Sequence, residues 1–274
     1  DASEEYKRGV IDYLLSEYRV GRTPNPDVMC NREVKFGAFY RFAKEKGADF
    51  IATGHYARAN NGTLLRGVDV TKDQSYFLWA VPKDALQMTL FPLGGLKKDV
   101  TRSRAQKYGL PNATKKDSQG ICFLGSISVE DFLRSEFGSE PGEAVDTTGA
   151  FVGTHSGALL HTLGARISLE NARPGPWYVV QKDIEKNQLI VSRERNIQSN
   201  TDSLRLTDTN WLSEDTDDVL SAQFRYHGPV IEGTLSGDRK EFKPSLLLPE
   251  PLASGQSLVL YRGEELLGGG ILTI

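Results

Sequence analysis

The hydrophobic pattern changes near residue 142, and this change constrains the fold more than any other feature of the sequence. Before it, apolar side chains recur at helical spacing, as Tyr6, Val10, Leu14 and Tyr18 do. After it, short β-rich runs alternate with turn residues. At 274 residues the chain is also too long for one average domain. The sequence therefore predicts an α/β part followed by a β part, with two folded units as a first estimate.

The stretch "FGAFYRFAKEKG" and the residues after it predict part of a parallel sheet. Its apolar side chains Phe36, Phe39, Tyr40 and Ala43 share one helical stripe, and a glycine then stops the helix. The next run, "DFIATG", is typical of a buried strand that ends in a loop. Helices followed by buried strands build parallel sheets, whose ligands bind outside the carboxyl ends of the strands. We therefore expect a ligand near "TGHY", residues 53–56.

Helical patterns continue from about residue 82 to residue 138, and hairpin patterns follow them. The run "SVEDFLRSEFG" opens with a capping pair, Ser128 and Asp131, and closes with a glycine. Further on, "WYVV" and "QLIVS" flank a polar turn, and "SLVLY" and "ELLGGGIL" flank "RGE". Several such hairpins at regular spacing favour a closed or nearly closed barrel.

Charge and cysteine usage exclude several classes of protein. With two cysteines, four histidines and no CxxC pair, the chain has neither a four-ligand zinc motif nor a disulfide framework, so we expect no protein-bound metal. The net charge of −3 gives no overall attraction to nucleic acid. No stretch is apolar for long enough to cross a membrane, and the first of these residues do not show the charged-then-apolar pattern of a leader peptide. We expect a cytoplasmic protein, or an organelle-matrix protein if the source is eukaryotic.

One segment, residues 97–116, is locally basic. Its cations are Lys97, Lys98, Arg102, Arg104, Lys107, Lys115 and Lys116, and its one acid is Asp99. Such a run is more often a solvated helix face than a phosphate-binding patch, and the sequence leaves both interpretations open.

The loop "GRTPNPDVMCN" is stiff and carries a thiol. Its two prolines keep Thr23 and Asn25 extended, so a helix or turn can start at Asp27. In a first helical turn, Asp27 and Cys30 would lie on one face. Asp27 is then either a helix cap or a group that moves protons on a substrate, and Cys30 is either a small buried hydrophobe or a reactive thiol.

The other candidate residues are equally ambiguous by themselves. Cys122, between Ile121 and Phe123, is typical of a buried structural thiol, but two thiols can also work as a pair in which one carries a persulfide sulfur and the other releases it. His55 is either a satisfied core histidine or a contact residue. Taken alone, "KDQSYFL" predicts a charged turn that leads into a strand, and "RYHG" is typical of ordinary barrel strand and turn sequence.

Together, blocks along nearly the whole chain closely resemble the tRNA-specific 2-thiouridylases, which replace the C2 oxygen of the wobble uridine with sulfur. The blocks, in the same order, are "GRTPNPDVMCNREVKFGAF", "ADFIATGHYAR", "LLRGVDVTKDQSYFLW", "DSQGICFLG", "PWYVVQKD" and "GQSLVLYRGEELLGGGIL". The resemblance implies three parts. Residues 1–80 would be the C-terminal part of an α/β domain of the adenine-nucleotide α-hydrolase (ATP-pyrophosphatase) type, 81–140 a helical linking and tRNA-binding domain, and 141–274 a β-barrel.

The resemblance also implies roles for individual residues. ATP, with Mg²⁺, would activate the C2 oxygen as an adenylate, and sulfur from a donor protein, a cysteine desulfurase or a sulfur relay, would displace AMP. Cys122 would carry the persulfide, Cys30 would be the attacking partner cysteine, and Asp27 would be the acid/base residue. Gly54 would contact ATP. The implied tRNA contacts are Asn25, Pro26, Asp27, His55, Lys72, Asp73, Gln74, Arg225, Tyr226 and Gln256.

The sequence departs from the family pattern in two places. The phosphate-binding SGGxDS loop does not occur in the 274 residues, and the nearest string, "LSGDRK" at 235–240, lies in the predicted barrel. We therefore expect that a further N-terminal segment exists, and that these residues alone bind ATP poorly and are inactive. The family block "TxGQRxGL" is "TLGARISL" here, so Ala165 replaces the glutamine side chain.

Two other functions stay open at this point. A non-catalytic tRNA-binding remnant would keep the helical region and the barrel but lack the ATP chemistry. Another member of the ATP-pyrophosphatase group would act on a different base or a small molecule, and the two specific cysteine blocks argue against it.

Overall fold

The computed structural model describes residues 1–60, 62–115, 127–195, 202–214, 219–248 and 252–274. The first helix, α1, comprises Ser3–Tyr6, a π-helical segment over Lys7–Asp12, and Tyr13–Arg19. Its predicted apolar stripe is confirmed, because Val10, Leu14 and Tyr18 are buried and Tyr6 packs against the core. Within the described ranges, no helix combines the length and the apolar character needed to cross a membrane.

Helix α2 comprises Pro26–Met29, a π-helical segment over Cys30–Ala38, and Phe39–Glu45. Phe36, Tyr40 and Ala43 are buried as predicted, but Phe39 is 48% exposed. The prediction for Phe39 is wrong because a π-type turn takes more residues than an α-type turn, so α-helical spacing no longer keeps all four side chains on one face. The chain leaves the helix at Gly47, whose φ of 77° lies in the left-handed region.

Strand β1 (Ile51–Ala52) follows α2 and leads into the "TGHY" loop. Next come strands β2 (Ala57–Asn60) and β3 (Thr63–Arg66), a 3₁₀ turn at Ser75–Leu78, helix α3 (Lys83–Gln87) and strand β4 (Thr89–Leu90). Strands β1 and β4 pair in parallel. The predicted parallel sheet is therefore confirmed, although Ala52 at the end of β1 is exposed.

Among the described residues, two further helices precede the β part, α4 (Lys98–Lys107) and α5 (Val129–Phe137). Helix α4 has no buried residue, so its basic side chains lie at the surface, as both interpretations of this segment require. The predicted cap of α5 is confirmed, since Ser128 Oγ accepts a hydrogen bond from the Asp131 backbone N–H at 3.0 Å. Leu133 of α5 packs with Leu14 and Tyr18 of α1, which fixes α5 against the N-terminal part.

Residues 142–192 form a five-stranded sheet. Its strands are β5 (Gly142–Asp146), β6 (Phe151–His155), β7 (Arg166–Ile167), β8 (Trp177–Asp183) and β9 (Gln188–Ser192). They lie in the order β6-β5-β9-β8-β7. Strands β8 and β9 form the hairpin that the sequence predicts. This hairpin lies outside the barrel, because the other edge of β9 pairs with β5.

The C-terminal part is a closed six-stranded barrel. Its strands are β10 (Leu204–Trp211), β11 (Leu220–Gln223), β12 (Val230–Leu235), β13 (Glu241–Pro244), β14 (Ser257–Arg262) and β15 (Glu265–Thr273). They follow the order β10-β13-β12-β11-β14-β15, and pairing of β10 with β15 closes the barrel. The "LSGDRK" string spans the β12–β13 turn, as expected.

The barrel is hydrogen-bonded to the α/β part, since Glu265 of β15 pairs with Leu65 of β3. The predicted fold class, an α/β part with a C-terminal β-barrel, is therefore confirmed. The domain boundaries at residues 80 and 140 stay predictions.

Candidate active site

The stiff loop before helix α2 ends in a capped helix N-terminus. Asn25 is the cap, and its side-chain oxygen accepts a hydrogen bond from the Val28 backbone N–H at 3.3 Å. Pro26 follows at the start of the helix, where a missing N–H loses no hydrogen bond. The interpretation of Asp27 as the cap is wrong, because Asn25 already occupies that position. The side chain of Asp27 is therefore left for another role.

Asp27 lies in the first turn of α2, three residues before Cys30. Its side chain is half-buried, and this burial raises the pKa of the carboxyl group, while the charge of Lys35 opposes the rise. A carboxyl group with a raised pKa exchanges protons more effectively near neutral pH. Asp27 thus has the environment of an acid/base residue.

Cys30 is the first residue of the π-helical segment and is only 5% exposed. π-helical turns are rare and often occur at functional sites. Within the described residues the Cys30 thiol is in no disulfide. The predicted partner, Cys122, lies outside the described residues, so the roles of both cysteines stay predictions.

The barrel holds the stiff loop in place. Thr23 donates its backbone N–H to the Ser254 carbonyl at 2.8 Å. Gly255 has a φ of 93°, and a Cβ atom there would lie 3.0 Å from the Thr23 nitrogen. Glycine is needed here both for the backbone conformation and for the close approach of the loop. The next residue is Gln256, a predicted tRNA contact, which is half-buried beside this junction.

His55 is buried, and both of its ring nitrogens have partners inside the protein. Nε2 lies 3.1 Å from Asn31 Oδ1, and Nδ1 lies 3.0 Å from Thr53 Oγ1. Because Asn31 Nδ2 donates to the Phe77 carbonyl, Asn31 Oδ1 accepts from His55, which therefore carries its proton on Nε2. Burial, together with the charge of Lys35, lowers the pKa of His55 to about 3. The geometry favours a satisfied core histidine, and a tRNA contact stays a prediction.

The carboxylate of Asp73 is the centre of a second buried network. It accepts hydrogen bonds from the backbone N–H groups of Gly67 and Ser75, at 2.9 and 3.0 Å, and from the Ser75 hydroxyl at 3.1 Å. Arg66 donates to it at 3.1 Å and also lies over the ring of Tyr261, 3.5 Å from the ring centre. Since Tyr261 belongs to β14, the network ties this segment to the barrel. Asp73 is 7% exposed, so little of it is open to a ligand.

Lys72 and Gln74 flank this buried carboxylate and are both half-buried. Gln74 Oε1 accepts a hydrogen bond from the Tyr56 backbone N–H at 3.0 Å. The backbone N–H of Gln74 also donates to the Tyr56 carbonyl at 2.9 Å. Hydrogen bonds therefore hold Gln74 in place next to Asp73. The tRNA contacts of Lys72, Asp73 and Gln74 stay predictions.

Tyr76 connects the capped helix to the barrel. Its hydroxyl donates to the Ser257 carbonyl at 3.0 Å. Burial and the nearby Tyr261 raise the pKa of Tyr76, while hydrogen bonding with Asn25 and the charge of Arg225 oppose the rise. Two predicted tRNA contacts, Asn25 and Arg225, thus both act on the pKa of this buried hydroxyl, although 200 positions separate them in the sequence.

An aromatic row, made of Tyr76, Phe77, Tyr226 and His227, runs beside this junction. The ring centres of Tyr76 and Phe77 are 5.4 Å apart, and those of Phe77 and Tyr226 are 4.5 Å apart. Tyr226 stacks on His227 with 3.9 Å between ring centres. Rings from the 3₁₀ turn and from the barrel therefore meet in one row, and Tyr226 is its predicted tRNA contact.

Gly54 lies exposed where the chain leaves the carboxyl end of β1. The nearest heavy atom to a Cβ built there would be Leu93 Cδ1 at 3.9 Å, so internal packing does not require a glycine. An open backbone at the end of a parallel strand is where a nucleotide can approach closely.

Two residues of this region, Asn31 and Tyr76, have no signal of their own in the sequence. Both lie inside blocks that carry the family resemblance, and each is 2% exposed. Their importance follows from burial, because a buried amide or hydroxyl needs hydrogen-bond partners. Burial of a single polar residue has no signature in hydrophobic periodicity.

Three sequence-family models match the chain. They are described as "tRNA methyl transferase HUP domain", matching residues 1–126, "tRNA methyl transferase PRC-barrel domain", matching 130–193, and "Aminomethyltransferase beta-barrel domain", matching 201–272. The second and third matches correspond to the five-stranded sheet and the closed barrel.

The chain is also similar to curated proteins named "tRNA-specific 2-thiouridylase MnmA". The protein of Pseudomonas syringae pv. syringae (strain B728a) is 42% identical over 98% of this chain and 76% of its own length. Those of Pseudomonas fluorescens (strain SBW25) and Shewanella frigidimarina (strain NCIMB 400) are 41% and 40% identical, over 98% of the chain and 76% and 77% of their lengths.

Proposed function

Because the chain belongs to the family of tRNA-specific 2-thiouridylases, we propose that its residues thiolate C2 of the wobble uridine of tRNA through a cysteine persulfide. It is a tRNA-modifying sulfurtransferase, and its HUP domain implies the use of ATP. Two of the matching family models mention tRNA methyl transfer in their descriptions, whereas the relatives at 40–42% identity are named thiouridylases. Sulfur transfer also gives a role to the two specific cysteine blocks.

One observation carries the residue-level proposal: a capped helix start, held against the barrel, carries Asp27 and Cys30 three residues apart. A three-residue offset places two side chains on one helix face. Chemistry on a base that is taken out of its stack needs a rigid pocket. The loop from Thr23 to Asn25, held by Ser254 and Gly255, supplies that rigidity.

Asp27 acts on the proton of the uridine ring. ATP, when bound, supplies the adenylate that makes C2 reactive. Asp27 accepts the N3 proton of the base as the C2 oxygen is activated and returns it when the thiocarbonyl forms. Its raised pKa, caused by burial, suits both transfers.

The two cysteines deliver the sulfur. The terminal sulfur of a Cys122 persulfide attacks C2 as AMP leaves. The Cys30 thiolate then attacks the inner sulfur of Cys122 and breaks the persulfide bond, which leaves the thiocarbonyl on the base and a Cys30–Cys122 disulfide on the protein. The two cysteines supply the electrons that reduce the transferred sulfur, so a thiol reductant restores them before the next turnover.

The ligands and partners follow from the same chemistry. Gly54 lies against ATP at the end of β1, and Mg²⁺ accompanies the ATP phosphates. Half-buried Lys72, Arg225, Tyr226 and Gln256 contact the tRNA, and a cysteine desulfurase or sulfur relay loads Cys122. The protein works in the cytoplasm, where tRNA and ATP are present.

The test is the 2-thiouridine content of tRNA from a bacterial strain that lacks its own thiouridylase and carries the complete gene of this protein. We expect the gene to restore wobble 2-thiouridine, and Asp27→Asn, Cys30→Ser and Cys122→Ser to abolish it. Asp49→Asn, which removes an exposed carboxylate elsewhere, is the matched control and should change nothing.

Nucleoside mass spectrometry measures the 2-thiouridine content of the tRNA. The tRNA affinity of each purified protein then separates a lost reaction from lost tRNA binding. Unchanged thiouridine with Cys122→Ser would contradict the persulfide role. If the wild-type product binds tRNA but never thiolates it, the non-catalytic tRNA-binding alternative becomes the better account.

A further inference from the structure

The aromatic row ends at the surface in an exposed ring, His227. The imidazole stacks on Tyr226 with 3.9 Å between ring centres and 24° between ring planes. Tyr226 in turn contacts Phe77 and lies 6.4 Å from the buried ring of Tyr76. The row therefore reaches from the protein core to solvent, and His227 is its outer end.

The turn between β11 and β12 holds His227 in this position. His227 has a φ of 56°, a left-handed conformation that histidine adopts more often than most residues do. Gly228 donates its backbone N–H to the Arg225 carbonyl at 3.0 Å, and its own carbonyl accepts from the Gln223 side chain at 3.4 Å. A Cβ at Gly228 would lie 2.5 Å from Arg225 Cγ, so the turn is tightly packed. The exposed ring is thus ordered before any ligand arrives.

An ordered, exposed aromatic face suits a nucleobase. Base stacking on a ring that is already fixed costs little side-chain entropy, and it tolerates any base because every base has a flat π-face. Arg225 places positive charge in the same turn, which favours a nucleic acid over an apolar peptide.

The position of the row relates this ring to the target base. Near its inner end, the carbonyl of Phe77 accepts a hydrogen bond at 3.0 Å from the side chain of Asn31, which lies in the helix that carries Asp27. The row therefore runs from the helix that carries Asp27 to the exposed ring of His227.

We propose that His227 is a base-stacking residue, and that its imidazole face takes the base of a nucleotide next to the target uridine. This inference rests on the proposed tRNA function and adds a contact to it. Neighbouring bases hold a uridine in the anticodon loop by stacking, so a neighbour that stacks on His227 lowers the cost of extracting the target base.

The test uses the purified product of the complete gene and tRNA that carries 2-aminopurine on one or the other side of the target uridine. Fluorescence of this base analogue is quenched when it stacks on a ring. His227→Asn removes the ring but keeps a polar side chain that tolerates left-handed backbone, and His227→Tyr restores an aromatic face. Phe151→Ala, at an exposed ring of the five-stranded sheet, is the matched control.

We expect wild-type protein to quench one of the two probes. His227→Asn should bind tRNA about tenfold more weakly and lose the quenching. His227→Tyr and Phe151→Ala should both behave like the wild type. The melting temperature of each variant, compared with that of the wild type, separates a lost contact from a lost fold.

Three outcomes would count against the inference. If His227→Asn binds and quenches like the wild type, the stacking contact is wrong while the tRNA function stands. If His227→Tyr resembles His227→Asn at an unchanged melting temperature, an aromatic face is not what the RNA binds. If the wild type binds no tRNA, the proposed function itself is contradicted.

Discussion

Two segments to which the family resemblance assigns tRNA contacts are built in opposite ways. Around Asp73 the polar atoms are buried and paired inside the protein, with Arg66, Gly67 and Ser75 all donating to one carboxylate. In the turn at residues 225–228 the side chains are half-buried or exposed, and order comes from stacked rings and a tight backbone turn. The segment around Asp73 therefore stabilises the fold around the site, whereas the turn at residues 225–228 exposes ordered side chains that a ligand can contact.

His55 belongs with the first segment. It is buried, and Asn31 and Thr53 occupy its ring nitrogens. The comparison teaches that closeness to a site does not make a polar residue a ligand contact, because a polar atom that is already paired gains little from a new partner.

The largest effect is expected from Asp73→Ala. The change leaves the Arg66 guanidinium and two backbone N–H groups without their acceptor, so we expect a loss of about 3 kcal/mol in the free energy of unfolding. Urea unfolding measures this loss, and Asp49→Ala, at an exposed carboxylate, should stay within about 0.5 kcal/mol of the wild type. Unchanged stability together with weakened tRNA binding would mean that Asp73 contacts tRNA and does not stabilise the fold.

The next effect concerns the pH dependence of stability and tests whether burial keeps His55 neutral. Burial lowers the pKa of His55 from 6.5 to about 3, so the unfolded chain binds a proton below about pH 6.5 while the folded protein stays neutral until about pH 3. Protons thus favour the unfolded state. As the pH falls from about 6.5 to about 3, the free energy of unfolding decreases by about 1.4 kcal/mol per pH unit.

His55→Gln keeps a polar side chain but cannot titrate, so it should remove this part of the pH dependence. The measurement is the difference between wild-type and variant unfolding curves from about pH 7 to about pH 4. The difference is needed because burial also lowers the pKa values of His155 and His161. Parallel stability profiles for the two proteins would mean that His55 is not held neutral by burial.

The smallest effect is expected from Arg225→Gln, and it should fall on binding. We expect tRNA affinity to drop about fivefold and the salt dependence of binding to weaken by about one unit of slope, with stability nearly unchanged. Arg205→Gln removes the same charge from an exposed position of β10 and serves as the control. Equal losses for the two variants would show a general charge effect in place of a contact by Arg225.

Local features were predictable from the sequence because neighbouring residues determine them. The spacing of apolar residues in α1, the Ser128 cap of α5 and the β14–β15 hairpin depend on side chains a few positions apart, and all three are present in the structure. The site region was also marked in the sequence, since the proline-stiffened loop leads into a helix that carries Asp27 and Cys30.

The sequence by itself therefore determined the fold class, the family and the blocks from which the site is built. Tertiary structure decided which residue caps α2, that the β8–β9 hairpin pairs with β5 outside the barrel, and that Phe39 faces solvent. It also decided that Asp73 and His55 are paired internally while the ring of His227 stays exposed. The physical reason is that these outcomes depend on contacts between residues far apart in the chain, and burial and hydrogen-bond pairing arise only when those residues meet.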